Sequence, residues 1–351
     1  MFTNIFSLSQ KELSQDAFLA WFFQFADNSK RSDFSKSNPW KELNTISKIG
    51  ECATEMLRMF TGLPDLSPES VEVYKQWEHI DLWVSINNRY SLIIEDKTGS
   101  GIHDDQLNRY KSIAKEWCGD KNGHELYCAY YKTESYPIKE KLLVESMGYS
   151  TFSREDVLNI LNKYKNYIFT NDIITSYYYF LSEKQNNEEL FRTTRIDDWD
   201  YYQYIGFFRE LDKAFINTEE PDWKYVPNQS GGFPGFWWHF RTINNLDTNI
   251  YMQFESQNLV IKLGEVYERQ SEIRNRVVSE LQPIIEKNGI MGGKPSRYGV
   301  GVNMTLFVVD KMEWYVKNGD NTIDLNGTII ALKRLASILV DGLVDNFECN
   351  I

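Results

Sequence analysis

Between residues 9 and 25 the apolar side chains recur at helical spacing. Leu13, Phe18, Leu19, Trp21, Phe22 and Phe25 form one broad face of an amphipathic helix. Ser9 followed by Glu12 matches the capping-box pattern at its start. Residues 27–40 (DNSKRSDFSKSNPW) are polar and loop-like. A second helix is expected over 52–60, stopped by Gly62 and Pro64. The period then changes from helical to alternating. Ile80, Leu82, Val84 and Ile86 alternate with Asp81, Trp83 and Ser85, and residues 90–97 (YSLIIEDK) form the next apolar strand. Asn87-Asn88-Arg89 between them is turn material, so the two strands should form a hairpin. A short strand over 71–74 precedes them. A helix over 104–117, strands over 126–132 and 149–152, and helices from about 155 and over 173–181 follow.

Residues 182–197 are polar and poor in aromatics, which makes them the candidate boundary. We expect one domain over 1–190 and a second over 195–351. The second reads as a helix (199–216), a meander (236–241, 249–255, 259–263), a long helix (268–287), a strand (301–309) and a C-terminal helix (325–347). That order describes an α+β domain with an antiparallel sheet. The chain shows no internal repeat and no low-complexity tract.

A length of 351 residues suits two domains, and 42% hydrophobic with 15% aromatic residues is enough to fill a sizeable core. The net charge of −12 argues against general coating of nucleic acid, which wants a basic surface. It leaves room for a local cationic groove whose binding is selective and salt-sensitive. Cys52, Cys118, Cys128 and Cys349 form no C-x-x-C pair and match no zinc spacing, so reduced thiols in the cytoplasm are expected. The start MFTNIFSLSQKEL lacks a basic region followed by an apolar one, so no signal peptide is expected. No apolar run approaches the roughly 18 residues of a membrane span.

The chemistry is concentrated in the hairpin. A turn centred on Asn88 puts Asp81 directly across from Glu95, while a register one residue different puts it beside Glu95. Side chains alternate along a strand, so Glu95 and Lys97 share a face. Two carboxylates and an ammonium therefore converge at the open end of the hairpin. Carboxylates that close repel unless a cation joins them, and Asp and Glu oxygens suit Mg²⁺. Such an ion can polarise a phosphate and acidify a bound water. Lys97 beside it can stabilise charge on the reacting phosphate, or help deprotonate the water if its pKa is depressed. Gln106 and Tyr110 lie four apart on one helix face, placed to bond a phosphate or stack on a base.

The ordered strings HIDLWV (79–84), IIEDK (93–97) and QLNRY (106–110) resemble the PD-(D/E)xK nuclease superfamily, in the order Asp, Glu-x-Lys, Gln-x-x-x-Tyr of its exonuclease-like members. Residues 11–23 (KELSQDAFLAWFF) also resemble the first helix of a bacterial group within it, in which an acidic residue matching Glu12 faces the active site. The resemblance covers about residues 5–160. It departs at 79–81, which read His-Ile-Asp where the superfamily name has Pro-Asp. It implies a three-layer, restriction-endonuclease-like αβα core with a mixed sheet in an αβββαβ order. It also implies Mg²⁺ or Mn²⁺ dependence, Asp81 and Glu95 as metal ligands, Lys97 as the catalytic lysine, and hydrolysis of nucleic acid, which we expect to be DNA. A role in defence or repair would fit it. The alternative is a binding or regulatory protein that keeps the fold and cuts slowly or not at all.

Each residue also has a plainer reading. Glu95 and Lys97 can be a surface cross-strand pair, and Glu12 can be the capping glutamate after Ser9. Glu51 and Glu55 are rival third carboxylates. Asp96 is expected to point the other way and cap the turn, and Tyr110 can be simple core. His79 and His103 read as hydrogen-bonding neighbours of the motifs. Gly292, Gly293, Lys294, Ser296 and Arg297 read as a solvated loop without a phosphate-loop pattern. Of Trp237 and Trp238 on a strand of the second domain, one should face the core and the other could be a stacking platform.

Overall fold

The structure is a computed structural model that describes residues 4–8, 11–31, 43–102, 105–121, 123–228, 231–299 and 301–349. Ser9 and His103, and with them the expected capping box and one flanking histidine, lie outside the described residues, as do residues 32–40 of the polar stretch. The chain divides into two compact units, residues 1–135 with 140–186, and residues 136–139 with 187–351.

The first unit holds a five-stranded sheet in the order β1-β2-β3-β4-β5: Val71–Trp77, Ile80–Ile86, Tyr90–Lys97, Glu125–Lys132 and Ser150–Ser153. β1, β2 and β3 are antiparallel, and β3, β4 and β5 are parallel, so the sheet is mixed. The β2–β3 turn is tight because Asn87 and Asn88 both take left-handed φ (56° and 48°) and Arg89 N–H closes on Ile86 C=O. Asn tolerates that region better than most side chains. The helices are α1 (Ile5–Leu8), α2 (Lys11–Phe23), α3 (Leu43–Thr61), α4 (Gln106–Lys121), α5 (Ile138–Ser146), α6 (Arg154–Lys163), α7 (Lys165–Ile168) and α8 (Asp172–Glu189).

Alternation decides the layers. Leu82 and Val84 of β2, Leu92 and Ile94 of β3, and Ala129 and Tyr131 of β4 pack with Phe18, Leu19 and Phe22 of α2, Ala53, Leu57 and Phe60 of α3, and Tyr177 and Leu181 of α8. The opposite face is covered by α4, where Trp117 meets Trp83 edge-on at 5.0 Å. Helices on both faces of a mixed sheet are the three-layer α/β core expected from the resemblance. Two helices run longer than their patterns suggested. α3 begins at Leu43, and α8 continues through the polar stretch to Glu189. The helix Ile138–Ser146 and the strand Asp222–Val226 were not foreseen.

The second unit holds a fully antiparallel six-stranded sheet in the order β10-β11-β9-β8-β7-β6. Its strands are β6 (Asp222–Val226), β7 (Phe233–Ile243), β8 (Thr248–Glu255), β9 (Asn258–Gly264), β10 (Gly292–Gly293) and β11 (Met304–Val309). Gly292 and Gly293, read as loop, form a short edge strand on β11. One face packs against α9 (Tyr201–Phe215), α10 (Gln270–Asn288) and the C-terminal helices α12 (Leu325–Ala336) and α13 (Gly342–Cys349), which a π-helical turn at Ser337–Asp341 separates. A four-residue helix, α11 (Lys311–Trp314), lies between β11 and α12. No described helix is long and apolar enough to cross a membrane.

Candidate active site

The β2–β3 ladder pairs Leu82 with Ile94 and Ile86 with Tyr90. Continued by one position, it sets Asp81 opposite Glu95, the register implied by a turn centred on Asn88. Asp81 Oδ2 accepts from the backbone N–H of Asp96 (3.0 Å), and Oδ1 accepts from Gln76 Nε2 (3.1 Å). Glu95 is 2% exposed, and Lys97 Nζ lies 2.7 Å from its Oε1. Glu95 Oε2 is buried with no donor.

Burial pushes the Glu95 carboxyl up to about 7. The Asp81 charge adds to that rise, and Lys97 opposes it. Burial likewise raises Asp81, against the pull of the Asp96 N–H and of Lys97. The two groups are close enough for a proton on Glu95 to be shared with Asp81. Burial alone would lower Lys97. Glu95, then Asp81 and Glu12, outweigh it and hold the ammonium above its ordinary value. Lys97 is therefore held as an ammonium between these carboxylates.

Glu12, at the start of α2, accepts from Ser100 Oγ (2.7 Å) in the loop after β3, and its charge is felt by both Asp81 and Lys97. The helix thus brings the fourth expected charged residue to the open end of the hairpin. The rivals are elsewhere. Glu51 pairs with Lys48 on α3, and Glu55 bonds Lys163 and Tyr164.

On α4, Gln106 Nε2 donates to Tyr110 Oη at 3.1 Å. No hydrogen bond joins either residue to Asp81, Glu95 or Lys97 among the described residues. Tyr149, just before β5, is influenced by both Glu95 and Tyr110, which places the pair on the Glu95 side of the sheet. Tyr110 is 5% exposed, so it is also part of the packing under α4. His79 is exposed in a left-handed turn conformation at φ 66°.

Asp96 does point away from Glu95, as alternation requires, but it caps no turn. Its carboxylate accepts from Gln15 Nε2 of α2 and lies against Asp16 of the same helix. Burial, then the neighbouring Asp16, raises Asp96 strongly. Burial, then Asp81, pushes Asp16 up to about 6. Gln76 ties the groups together by donating to Asp16 Oδ2 (3.2 Å) as well as to Asp81. Sequence reasoning missed this set because Gln15 and Asp16 look like the polar side of an amphipathic helix. Both are 1% exposed. Lys132, the parallel-strand partner of Lys97 in β4, was also missed. It is buried and bonds Glu140 Oε1 at 2.7 Å.

Comparison with known proteins gives one finding. A family model described as PD-(D/E)XK nuclease superfamily matches residues 3–193, more than half of the chain. Neither the curated proteins nor the solved structures give a match. The matched span contains the mixed sheet, both covering layers and all six candidate residues, and the chain belongs to the PD-(D/E)XK nuclease superfamily.

Proposed function

We propose that this protein is a divalent-metal-dependent nuclease that hydrolyses phosphodiesters, with DNA as its substrate and Mg²⁺ or Mn²⁺ held by Asp81 and Glu95. The reading is carried by one observation: two acidic side chains from neighbouring strands meet at the open end of a hairpin, with Lys97 2.7 Å from one of them. The residues suit such an ion. Glu95 presents a buried oxygen with no donor, and both carboxyls are raised first by burial, then by neighbouring carboxylates, a cost to the charged forms that a cation would offset. Mg²⁺ needs only one or two protein carboxylates and completes its shell with water and substrate phosphate. Among the described residues no group of three or more His, Cys, Asp or Glu is placed to hold a metal ion, so the two carboxylates are the protein ligands this reading relies on.

When bound, the ion would supply Lewis-acid polarisation and an acidified water. The chain's own groups do the rest. Glu95 gives up the proton it holds near neutral pH. The Asp96 N–H and Gln76 fix the orientation of Asp81. Lys97, held protonated, meets the negative charge that builds on the phosphate oxygens. Glu12 adds a carboxylate at the rim, and the Gln106–Tyr110 pair offers an amide and an aromatic hydroxyl to a phosphate or a base. Cys52, Cys118 and Cys128 are free and buried, which suits a reducing cytoplasmic setting, and the family resemblance fits a role in defence or repair.

The test is cleavage of labelled single- and double-stranded DNA and RNA by the full chain with Mg²⁺ or Mn²⁺. We expect metal-dependent cutting of DNA that disappears in Glu95→Ala. Specific metal binding without cutting would favour a nuclease-fold binding or regulatory protein instead.

A further inference from the structure

The six-stranded sheet of the second unit has a face turned away from its core. Along β7, Phe236 and Trp238 enter the core, and Gly235 and Trp237 take the other side. Strict alternation would bury Phe240. Instead the register with β8 shifts between Trp238, paired with Met252, and Arg241, paired with Ile250. His239 and Phe240 together oppose Tyr251, which is a bulge, a device that re-aims side chains.

The bulge is held deliberately. His239 adopts φ 59° and is 4% exposed. Its Nδ1 faces Glu219 Oε2, and its Nε2 lies 2.9 Å from Asp341 Oδ1, which Arg241 Nε also bonds at 2.9 Å. Left-handed φ at a residue other than glycine is a strained arrangement that persists only where its surroundings enforce it. The result is that Phe240 stands outward, 40% exposed, stacked on Tyr251 with ring centroids 4.6 Å apart and planes at 22°.

These rings border a groove of about 530 Å³, whose lining includes Trp237, Gln253, Lys262, Asn303, Glu255 and Glu265. That volume lies in the range of small-molecule sites. Its floor is kept low beside the rings. A Cβ at Gly264 would come within 3.0 Å of the Tyr251 ring and of Asn303 Oδ1, and one at Gly235 within 3.2 Å of Trp237. Tyr251 is 8% exposed, yet its hydroxyl bonds no described residue. Burial, then Glu255 and Glu265, push that hydroxyl up to about 12, so it stays a donor.

Charge narrows the occupant. Glu255 and Glu265 lie in the groove with Lys262, which Glu255 (3.0 Å) and Thr305 Oγ1 (3.1 Å) already engage, and Lys224 stands 5.8 Å from the Trp237 ring centroid. With its lining ammonium neutralised, the groove offers no row of free cations to a run of phosphates. A neutral aromatic ring whose edge carries N–H groups is complementary, because carboxylates accept from exocyclic amines while rings stack on its faces. We infer that this groove binds a nucleobase, stacked against Trp237 and Phe240, with its N–H edge toward Glu255 or Glu265 and an acceptor toward the Tyr251 hydroxyl. The base could belong to an unpaired strand or to a free nucleoside.

The test uses the full chain in EDTA, so that metal-dependent cutting plays no part. Binding of fluorescein-labelled ten-nucleotide single-stranded DNA and RNA is measured by anisotropy, with nucleosides as competitors. Mass spectrometry maps cross-links from oligonucleotides that carry 4-thiouridine or 4-thiothymidine. We expect cross-links at Trp237, Phe240 or Tyr251, and affinity reduced on the order of tenfold in both Trp237→Ala and Phe240→Ala. Trp237→Phe should restore most of it, Glu255→Gln should change the preference among bases, and Glu95→Gln should change nothing in the groove. A shallow salt dependence is expected, because few phosphates are neutralised. Displacement by nucleosides would identify a free-base site, and displacement by oligonucleotides alone a strand site. No binding by wild type, or alanine variants that bind and cross-link like wild type, would overturn the inference while leaving the nuclease reading untouched.

Discussion

Glu95 is the residue at which packing and chemistry conflict most openly. Its carboxyl is 2% exposed, beside another carboxyl and an ammonium, and titrates near 7 instead of at its ordinary 4.5. Between those two values the folded protein holds a proton that the unfolded chain has lost. The stability Glu95 contributes is therefore full below about 4.5 and is lost as pH rises through about 7. For the metal-free protein we expect stability, followed by denaturant melts from pH 4.5 to 8, to fall by up to about 3 kcal/mol from this group. Glu95→Gln should make that fall shallower by this share, leaving the part that the raised Asp16, Asp81 and Asp96 contribute. A variant with the same pH slope as wild type would show that Glu95 is ionised throughout. The same proton must leave for a cation to bind. Calorimetry should accordingly show Mn²⁺ affinity rising with pH up to about 7, with proton release, and lost in Asp81→Asn. Much of this residue-scale picture was legible. The Asp81, Glu95 and Lys97 placement follows from alternation and a turn at Asn88. The protonation of Lys97 did not follow, because it depends on Glu95 and Glu12 arriving at distances that no spacing rule gives.

At the scale of elements, the hairpin shows why the reading succeeded. Val84, Ile86, Leu92 and Ile94 repeat with period two on either side of Asn87-Asn88 and reach one core, and the tight turn fixes their register. The turn itself is testable. Asn88 sits at φ 48°, so Asn88→Ala should lower stability by about 1 kcal/mol, whereas Asn88→Gly should be neutral or stabilising. Equal effects of the two would mean that the turn does not hold that conformation. The α2–β3 seam was not legible. Gln15, Asp16 and Asp96 are polar by name and enclosed in fact: Gln15 donates to Asp96 across the two elements, while Gln15 Oε1, Asp16 Oδ1 and Asp96 Oδ2 are buried without a hydrogen-bond partner. Asp96→Asn keeps the acceptor for Gln15 and removes a buried acid, so at pH 8 it should be at least as stable as wild type. Asp96→Leu should lose about 1–3 kcal/mol by stranding Gln15. The helix Ile138–Ser146 escaped because IKEKLLVES has little contrast between its faces, and the Phe240 bulge because it breaks the rule that finds strands.

For the molecule as a whole, the two units were foreseeable as types: a mixed sheet under helices, and an antiparallel sheet after it. The family model independently covers the first. A net charge of −12 bears on how nucleic acid is met. Affinity of the nuclease unit should fall as salt rises in proportion to the phosphates its cations neutralise, more steeply than that of the base groove of the second unit, while screening of the opposing field offsets part of the fall. A variant lacking Trp237 and Phe240 should bind more weakly than wild type with the same salt slope, and unchanged affinity would show that the groove makes no separate contribution.

The central claim is that Asp81, Glu95 and Lys97 form a metal-assisted site for phosphodiester hydrolysis. Its most direct test is cleavage of labelled DNA and RNA with Mg²⁺ or Mn²⁺ by wild type, Glu95→Ala and Lys97→Ala, with Mn²⁺ binding measured on the same preparations. The account predicts metal-dependent cutting of DNA by wild type, loss of both binding and cutting in Glu95→Ala, and loss of cutting by about a hundredfold or more with binding retained in Lys97→Ala. Wild type that neither binds metal nor cuts, or variants that cut as well as wild type, would contradict it.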